Sequence, residues 1–395
     1  MEEDAFGQLY DTYAPEWTKE LASMKEMIIA NLVMTAQIPA KTFEEQARAS
    51  FVLDRFIECG INSPSIDEMG NVIGIIPGKN PKHTIVLSAH LDTLFHSNID
   101  HNVSIFADKA EGTGIADNAM GLTLLLTLPD ILKRLELEFD SNIVLLATAA
   151  SKEKGDLSGM RHYMKDHHGE TSFNINIEGI TLGQVDHSAL SRVRCDIQCD
   201  LDGTVDSSWR SLGQNSAIMM LSDVLESLFS IPLPRKPKTV MNVGKIVGGN
   251  SYSRVCDSAS LSLEVRSEDD TITDKLIEEI KDNCYDIGAK YGLDIDLNFF
   301  SRHKAAGIRY SHPLVKGASV FVKKIGVKPK MGTSNSEIAV PLSMNIPSIT
   351  VGITSGSEDS SQKSYINLEP IPNGICQVLL LIKSIDKGYC DDEPT

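Results

Sequence analysis

Apolar positions recur at helical spacing over residues 16–36, through Trp17, Leu21, Met24, Ile28 and Leu32, and Pro39 ends the pattern; this predicts a first helix. A second helix is predicted over 43–59, with Thr42 and Glu45 spaced as a capping box and Gly60 as its stop. A short strand over 71–76 runs into the Pro77-Gly78 turn, and the apolar runs 84–89 and 142–147 read as buried strands. Residues 173–179 predict another strand that ends in the carboxylate of Glu178, and the run 122–128 belongs to a helix. Strands alternating with helices imply an α/β fold, a mainly parallel sheet flanked by helices.

Beyond Ala189 the pattern changes. Residues 193–201, 240–247 and 259–265 read as strands, and 215–229 and 271–291 as helices, the composition of a small α+β lid. The expected domains are therefore 1–188 with 302–395, and an inserted unit over 189–301. Cys195 and Cys199 share one face of a predicted strand, where packing is the expected role.

The chemistry gathers where strand 84–89 ends in His90-Leu91-Asp92, since open α/β sheets place their sites at the carboxyl ends of strands. Gly112, Gly114 and Gly121 let a turn approach closely and set Asp117 just before the helix. His90 is a candidate metal ligand, with Asp92 either orienting the imidazole or ligating directly. His96, Asp100 and His101, in the intervening polar loop, are expected to be solvated bystanders.

Composition narrows the partners. A formal charge of −17 argues against nucleic acid and against an anionic membrane surface, because phosphate recognition needs clustered Lys and Arg. The start, Met1-Glu2-Glu3-Asp4, is acidic where a signal peptide is basic, and no apolar run approaches a membrane span, so a cytoplasmic location is expected. The 7 cysteines, an odd number with no Cys-x-x-Cys pair, suggest neither a disulfide framework nor a cysteine-rich zinc site.

The stretches 84–93 and 112–121 resemble the first two metal-binding motifs of the dinuclear zinc aminoacylase/carboxypeptidase family, which includes acetylornithine deacetylase, succinyl-diaminopimelate desuccinylase, glutamate carboxypeptidase and peptidase T. Ala147-Thr148 with Gly155-Asp156-Leu157-Ser158-Gly159 resembles its third motif. Asn242-Val243-Gly244-Lys245-Ile246 with Gly248-Gly249 is similar to the signature of its dimerisation domain, and residues 341–352 are similar to its last catalytic strand. The resemblance implies a zinc-exopeptidase-like fold with an inserted dimerisation lid, a homodimer, and a ligand like a peptide or an N-acyl amino acid. It also implies His90, Asp117 and Glu178 as the three protein ligands of one metal, Asp117 in the bridging position, and Asp92 as the carboxylate behind the histidine.

The other half of the implied centre departs from the family pattern. Ser151 and Lys152 stand where the family has its general base and a ligand of the second metal, and Glu153 is displaced from both positions. Ser360 matches the last ligand, a histidine in the family; Ser207 matches the lid histidine that reaches substrate, and Ser253 an asparagine. Arg266, Asn335 and Glu337 fall near positions that border substrate. Lys152 is expected to pair with Asp117 where a cation would otherwise sit. The resulting expectation is a divergent metallohydrolase relative with at most one zinc and no second metal, acting as a weakly active or inactive ligand-binding homologue. The alternative is a zinc-dependent peptidase or deacylase that uses Glu153 as a displaced base.

Overall fold

The computed structural model describes residues 2–201, 216–334, 336–358 and 364–391. Ser207, Asn335 and Ser360 lie outside the described residues. The chain divides into two compact units, 1–189 with 307–395, and 190–306.

The larger unit is built on a sheet whose strand order is Asn62–Ile66, Val72–Ile76, Asn142–Thr148, Thr84–His90, Phe173–Glu178, Ser348–Gly352 and Gln184–Ala189, with Lys330–Ser334 added beside the last. Thr84–His90 runs parallel to both neighbours, and Ser348–Gly352 runs parallel to Phe173–Glu178. Antiparallel pairing is confined to the flanks. Parallel strands covered on both faces bury every side chain, as in Thr84–His90 after its first residue. Among the described residues one helical stretch, Ile115–Arg134, is long and apolar enough to cross a membrane; 83% of its apolar window is buried inside the fold, so it is a core helix. A separate small sheet pairs Lys109–Gly112 with Ser364–Asn367, and the latter with Gly356–Ser357.

Three expectations need correction. The first helix starts earlier and is two helices, Glu2–Ser23 and Lys25–Gln37, parted at Met24, whose ψ of 5° leaves the helical range. The apolar stripe continues through that break, so periodicity does not reveal it. The helix Gln46–Glu58 has no capping box: Thr42 Oγ1 donates to Asp92 Oδ2 at 2.8 Å, and Glu45 Oε1 accepts from the Ala150 N–H at 3.0 Å. In the loop after His90, His96 and Asp100 are exposed as expected, but His101 is buried, with its Nε2 donating to the His96 carbonyl at 2.9 Å.

In the smaller unit four antiparallel strands follow the order Thr239–Gly248, Ser258–Ser267, Ser191–Asp200, Ile295–His303. Helices Ala217–Ser230 and Asp270–Tyr291 contribute Leu221, Val224 and Ile280 to its core. Cys195 and Cys199 are part of that core, where burial pushes both thiols up to about 12.

Candidate metal centre

Three parallel strands bring the site together. His90 closes one strand opposite Thr148, the last residue of the next, and Glu178 closes the strand on the other side. The His90 Nδ1–H donates to the backbone carbonyl of Asp92 at 2.8 Å, so Nε2 is the nitrogen presented to Asp117, whose Oδ1 lies 2.8 Å away. Burial and the Lys152 charge work against protonation of His90, but Asp117 outweighs them and holds the imidazole well above its ordinary value.

The Asp92 carboxylate serves mainly the loop beyond the third strand. Its Oδ2 accepts from Thr42 Oγ1 and from the backbone N–H groups of Ser151 at 3.1 Å and Lys152 at 2.8 Å, while Oδ1 stands 3.5 Å from His90 Nδ1. It is therefore the Asp92 carbonyl, rather than its side chain, that makes the closer contact orienting the histidine. Burial would raise the Asp92 carboxyl, but His90 and these donors hold it below the usual range. Arg48, fully buried, donates to the carbonyls of Ile38 and Leu91 and fixes the backbone behind the pair; burial pulls its guanidinium down to about 10.

Asp117 sits in the turn Ile115–Ala119, which follows Gly114 in the left-handed region at φ 66°. Next to it, Asn118 Nδ2 donates to the Ile177 carbonyl at 2.6 Å and its Oδ1 accepts from the Gly121 N–H at 3.1 Å, which fastens the turn to the neighbouring strand. A Cβ at Gly121 would stand 2.5 Å from Asn118 Oδ1 and 2.6 Å from the Ile177 oxygen, so only glycine fits.

Glu178 accepts from Asn176 Nδ2 at 3.1 Å, and burial pushes its carboxyl up to about 7. One ligand atom each from His90, Asp117 and Glu178 lies within 4.8 Å of the others. An imidazole nitrogen and two carboxylates, with the histidine's other nitrogen already committed, form a donor set that suits one zinc. Next to it, Lys152 Nζ donates to Asp117 Oδ2, opposite the His90 contact on Oδ1. Burial works against the Lys152 ammonium, but Asp117 overcomes it and holds it above its ordinary value.

Residues 71–214 match the family described as Peptidase family M28, and residues 207–292 match the Peptidase dimerisation domain. Over those residues the chain is similar to peptidase families. An uncharacterised protein, YqjE, of Bacillus subtilis (strain 168) is 20% identical over 356 residues, covering 83% of this chain and 90% of its own. Among solved structures the fold is shared with aminopeptidase PepT from Bacillus cereus, at 18% identity and a TM-score of 0.73 over 91% of this chain and 98% of that one. It is shared also with the M20 family metallo-carboxypeptidase Sso-CP2 from Sulfolobus solfataricus, at 14% identity and a TM-score of 0.76 over 91% and 99%.

The triad residues line a cavity of about 340 Å³ together with Ser151, Lys152, Asp186, Glu337 and Glu358. Ser151 Oγ donates to Glu337 Oε1 at 2.6 Å. Glu153 is exposed and is not among the lining residues. Arg266 stands in the smaller unit and pairs with Glu264. Sequence reasoning missed Asp186 and Glu358. Glu358 reaches the cavity because it directly follows Gly356–Ser357, which pairs with Tyr365 and Ile366 of the strand that aligns Ser364 with Gly112, two residues before the Gly114 that opens the turn carrying Asp117. Burial and the Asp117 charge both raise the Glu358 carboxyl.

Proposed function

We propose that this protein is a divergent metallopeptidase relative that holds at most one metal, a zinc at His90, Asp117 and Glu178, and is a weakly active or inactive binder of peptide-like or N-acyl amino acid-like small molecules. The observation that carries the reading is the Lys152 ammonium on Asp117 Oδ2, a tethered cation beside the carboxylate that the family resemblance assigns to bridging two metals. Ser151, at the position implied for the general base, carries a hydroxyl that cannot take up a proton at neutral pH. A zinc held by the triad would supply Lewis acidity and a water of lowered pKa.

The triad itself favours a second reading, a one-zinc peptidase or deacylase. In that reading Glu153 acts as a displaced base, and its exposed placement speaks against this part. Homodimer formation and a cytoplasmic location belong to the proposal. The edge strand Thr239–Gly248, with Val240, Ile246 and Val247 exposed, supports the former.

The test is elemental analysis of the purified protein and of His90→Ala, with hydrolysis of peptides and N-acyl amino acids measured in parallel. About one zinc per chain, lost in the variant, with little turnover, is the expected result. Family-like hydrolysis abolished by Glu153→Gln, with one zinc per chain, would establish the second reading instead, and two metals per chain would overturn both.

A further inference from the structure

Two hydroxyls meet one carboxylate oxygen beside the triad. Ser151 Oγ donates to Glu337 Oε1 at 2.6 Å, Thr148 Oγ1 donates to the same oxygen, and the two hydroxyl oxygens stand 3.3 Å apart. Thr148 is fully buried and is not among the lining residues. Ser151 and Glu337 both line the cavity, and Ser151 is the more exposed of the two, at 9% against 1%. A hydroxyl in a cavity wall, a carboxylate within hydrogen-bond reach behind it and a third group that orients the carboxylate are the parts of an activated nucleophile.

The backbone holds that hydroxyl in place. The strand Asn142–Thr148 ends just before Ala150, whose φ of 51° lies in the left-handed region, a strain that gathers where a side chain must be aimed. The N–H groups of Ser151 and Lys152 are both on Asp92 Oδ2, which fixes the peptide that carries the hydroxyl. Burial raises the Glu337 carboxyl above its ordinary value, and this strengthens its carboxylate as a proton acceptor.

We propose that Ser151 is the nucleophile and Glu337 the general base of an acyl-transfer site for activated carboxylic esters, a reaction beyond the metal-centred function proposed above. Glu337 Oε1 takes the proton of Ser151 Oγ as that oxygen bonds to the carbonyl carbon, and the carbonyl π pair moves to oxygen. Lys152 meets the charge that develops there: it lines the same cavity and has N–H donors beyond the one on Asp117, while the backbone N–H groups of Ser151 and Lys152 are committed to Asp92. The intermediate collapses with loss of the ester's alcohol oxygen, which leaves Ser151 acylated. Water then adds to the acyl carbon and gives a proton to solvent, Oγ leaves and recovers its own proton from Glu337, and the carboxylic acid is released. Glu337 sits behind Oγ and returns the proton to Oγ rather than to the leaving group, so that group departs as an anion. This selects aryl or enol esters over amides, whose nitrogen must be protonated before the bond breaks.

The experiment treats the purified full-length protein, Ser151→Ala and Glu337→Gln with p-nitrophenyl acetate, follows nitrophenolate release, and maps the acetyl group by peptide mass spectrometry. The expected result is a burst of about one nitrophenolate per chain with the acetyl group on Ser151. Ser151→Ala should lose both, and Glu337→Gln should acylate about a hundred- to ten-thousandfold more slowly. If either variant fails to fold, the position of the acetyl group in wild type decides alone. No acetyl group on Ser151, a burst that survives Ser151→Ala, or an unchanged rate in Glu337→Gln overturns the inference. Elemental analysis of the same samples keeps the two proposals apart: two metals per chain would overturn the proposed function and leave the acetylation of Ser151 readable, whereas one zinc without that acetylation overturns this inference alone.

Discussion

Replacing Lys152 by methionine keeps the apolar stem and removes the ammonium from Asp117 Oδ2. The two side chains are 21% and 18% exposed, so the pair is partly screened. At an effective dielectric of about 20, a close pair of unit charges is worth about 4 kcal/mol, and the desolvation of both groups offsets part of this. The variant also leaves Asp117 among Glu178 and Glu358 with His90 as its remaining cationic partner, so the net loss is about 2 kcal/mol in metal-free protein. For a unit of this size that corresponds to a fall in Tm of roughly 3–6 °C, read by differential scanning calorimetry in a chelator. Added zinc should then stabilise the variant more than the wild type, because a second ion can approach the vacated Oδ2, and zinc binding at a hundred times its Kd contributes about 2.7 kcal/mol. Elemental analysis would show the corresponding rise in metal per chain. A chelated variant within 1 °C of wild type, with the same metal count, would refute the argument that Lys152 stands in for a cation.

Three further outcomes are expected. Thr42→Val removes the hydroxyl donor to buried Asp92 and should cost about 1–2 kcal/mol in urea denaturation; no measurable loss would mean that the two backbone donors suffice. Gly121→Ala places a methyl against Asn118 and the Ile177 carbonyl and should cost about 1–3 kcal/mol, with weakened zinc uptake, because the turn carrying Asp117 must shift. Burial would raise the Glu264 carboxyl, but Arg194 and Arg266 hold it below its ordinary 4.5. Its contribution is therefore complete above that value and is lost as pH falls through the lower folded-state value, so Glu264→Gln should flatten the acid limb of stability by less than about 1 kcal/mol. An unchanged acid limb in thermal melts would show that the pair is solvated.

What could be read from the sequence was what local pattern dictates. The strand expected over 84–89 is Thr84–His90, the one over 142–147 is Asn142–Thr148, and the polar groups do emerge where these strands end. The mainly parallel α/β fold followed from that alternation. What escaped depends on partners far along the chain. Thr42 and Glu45 have the spacing of a helix cap, yet contacts 50 and 105 residues away take their side chains instead. Glu358 lies in a polar stretch with no periodicity, and only strand pairing between residues more than 250 apart brings it to Asp117. The strand Ile295–His303 also went unread, since its alternation follows directly on a helix.

The place of Ser348–Gly352 in the sheet has a consequence for biogenesis. This strand, made only after the whole smaller unit, inserts between Phe173–Glu178 and Gln184–Ala189 rather than adding to an edge. Until it arrives, those two earlier strands present unpaired backbone, and Glu178 lacks the neighbour that completes its side of the sheet. The whole smaller unit, 190–306, is synthesised during that wait. Nascent chains therefore pass through a long interval with an open, aggregation-prone edge, and refolding from denaturant should be slow and concentration-sensitive for the same reason.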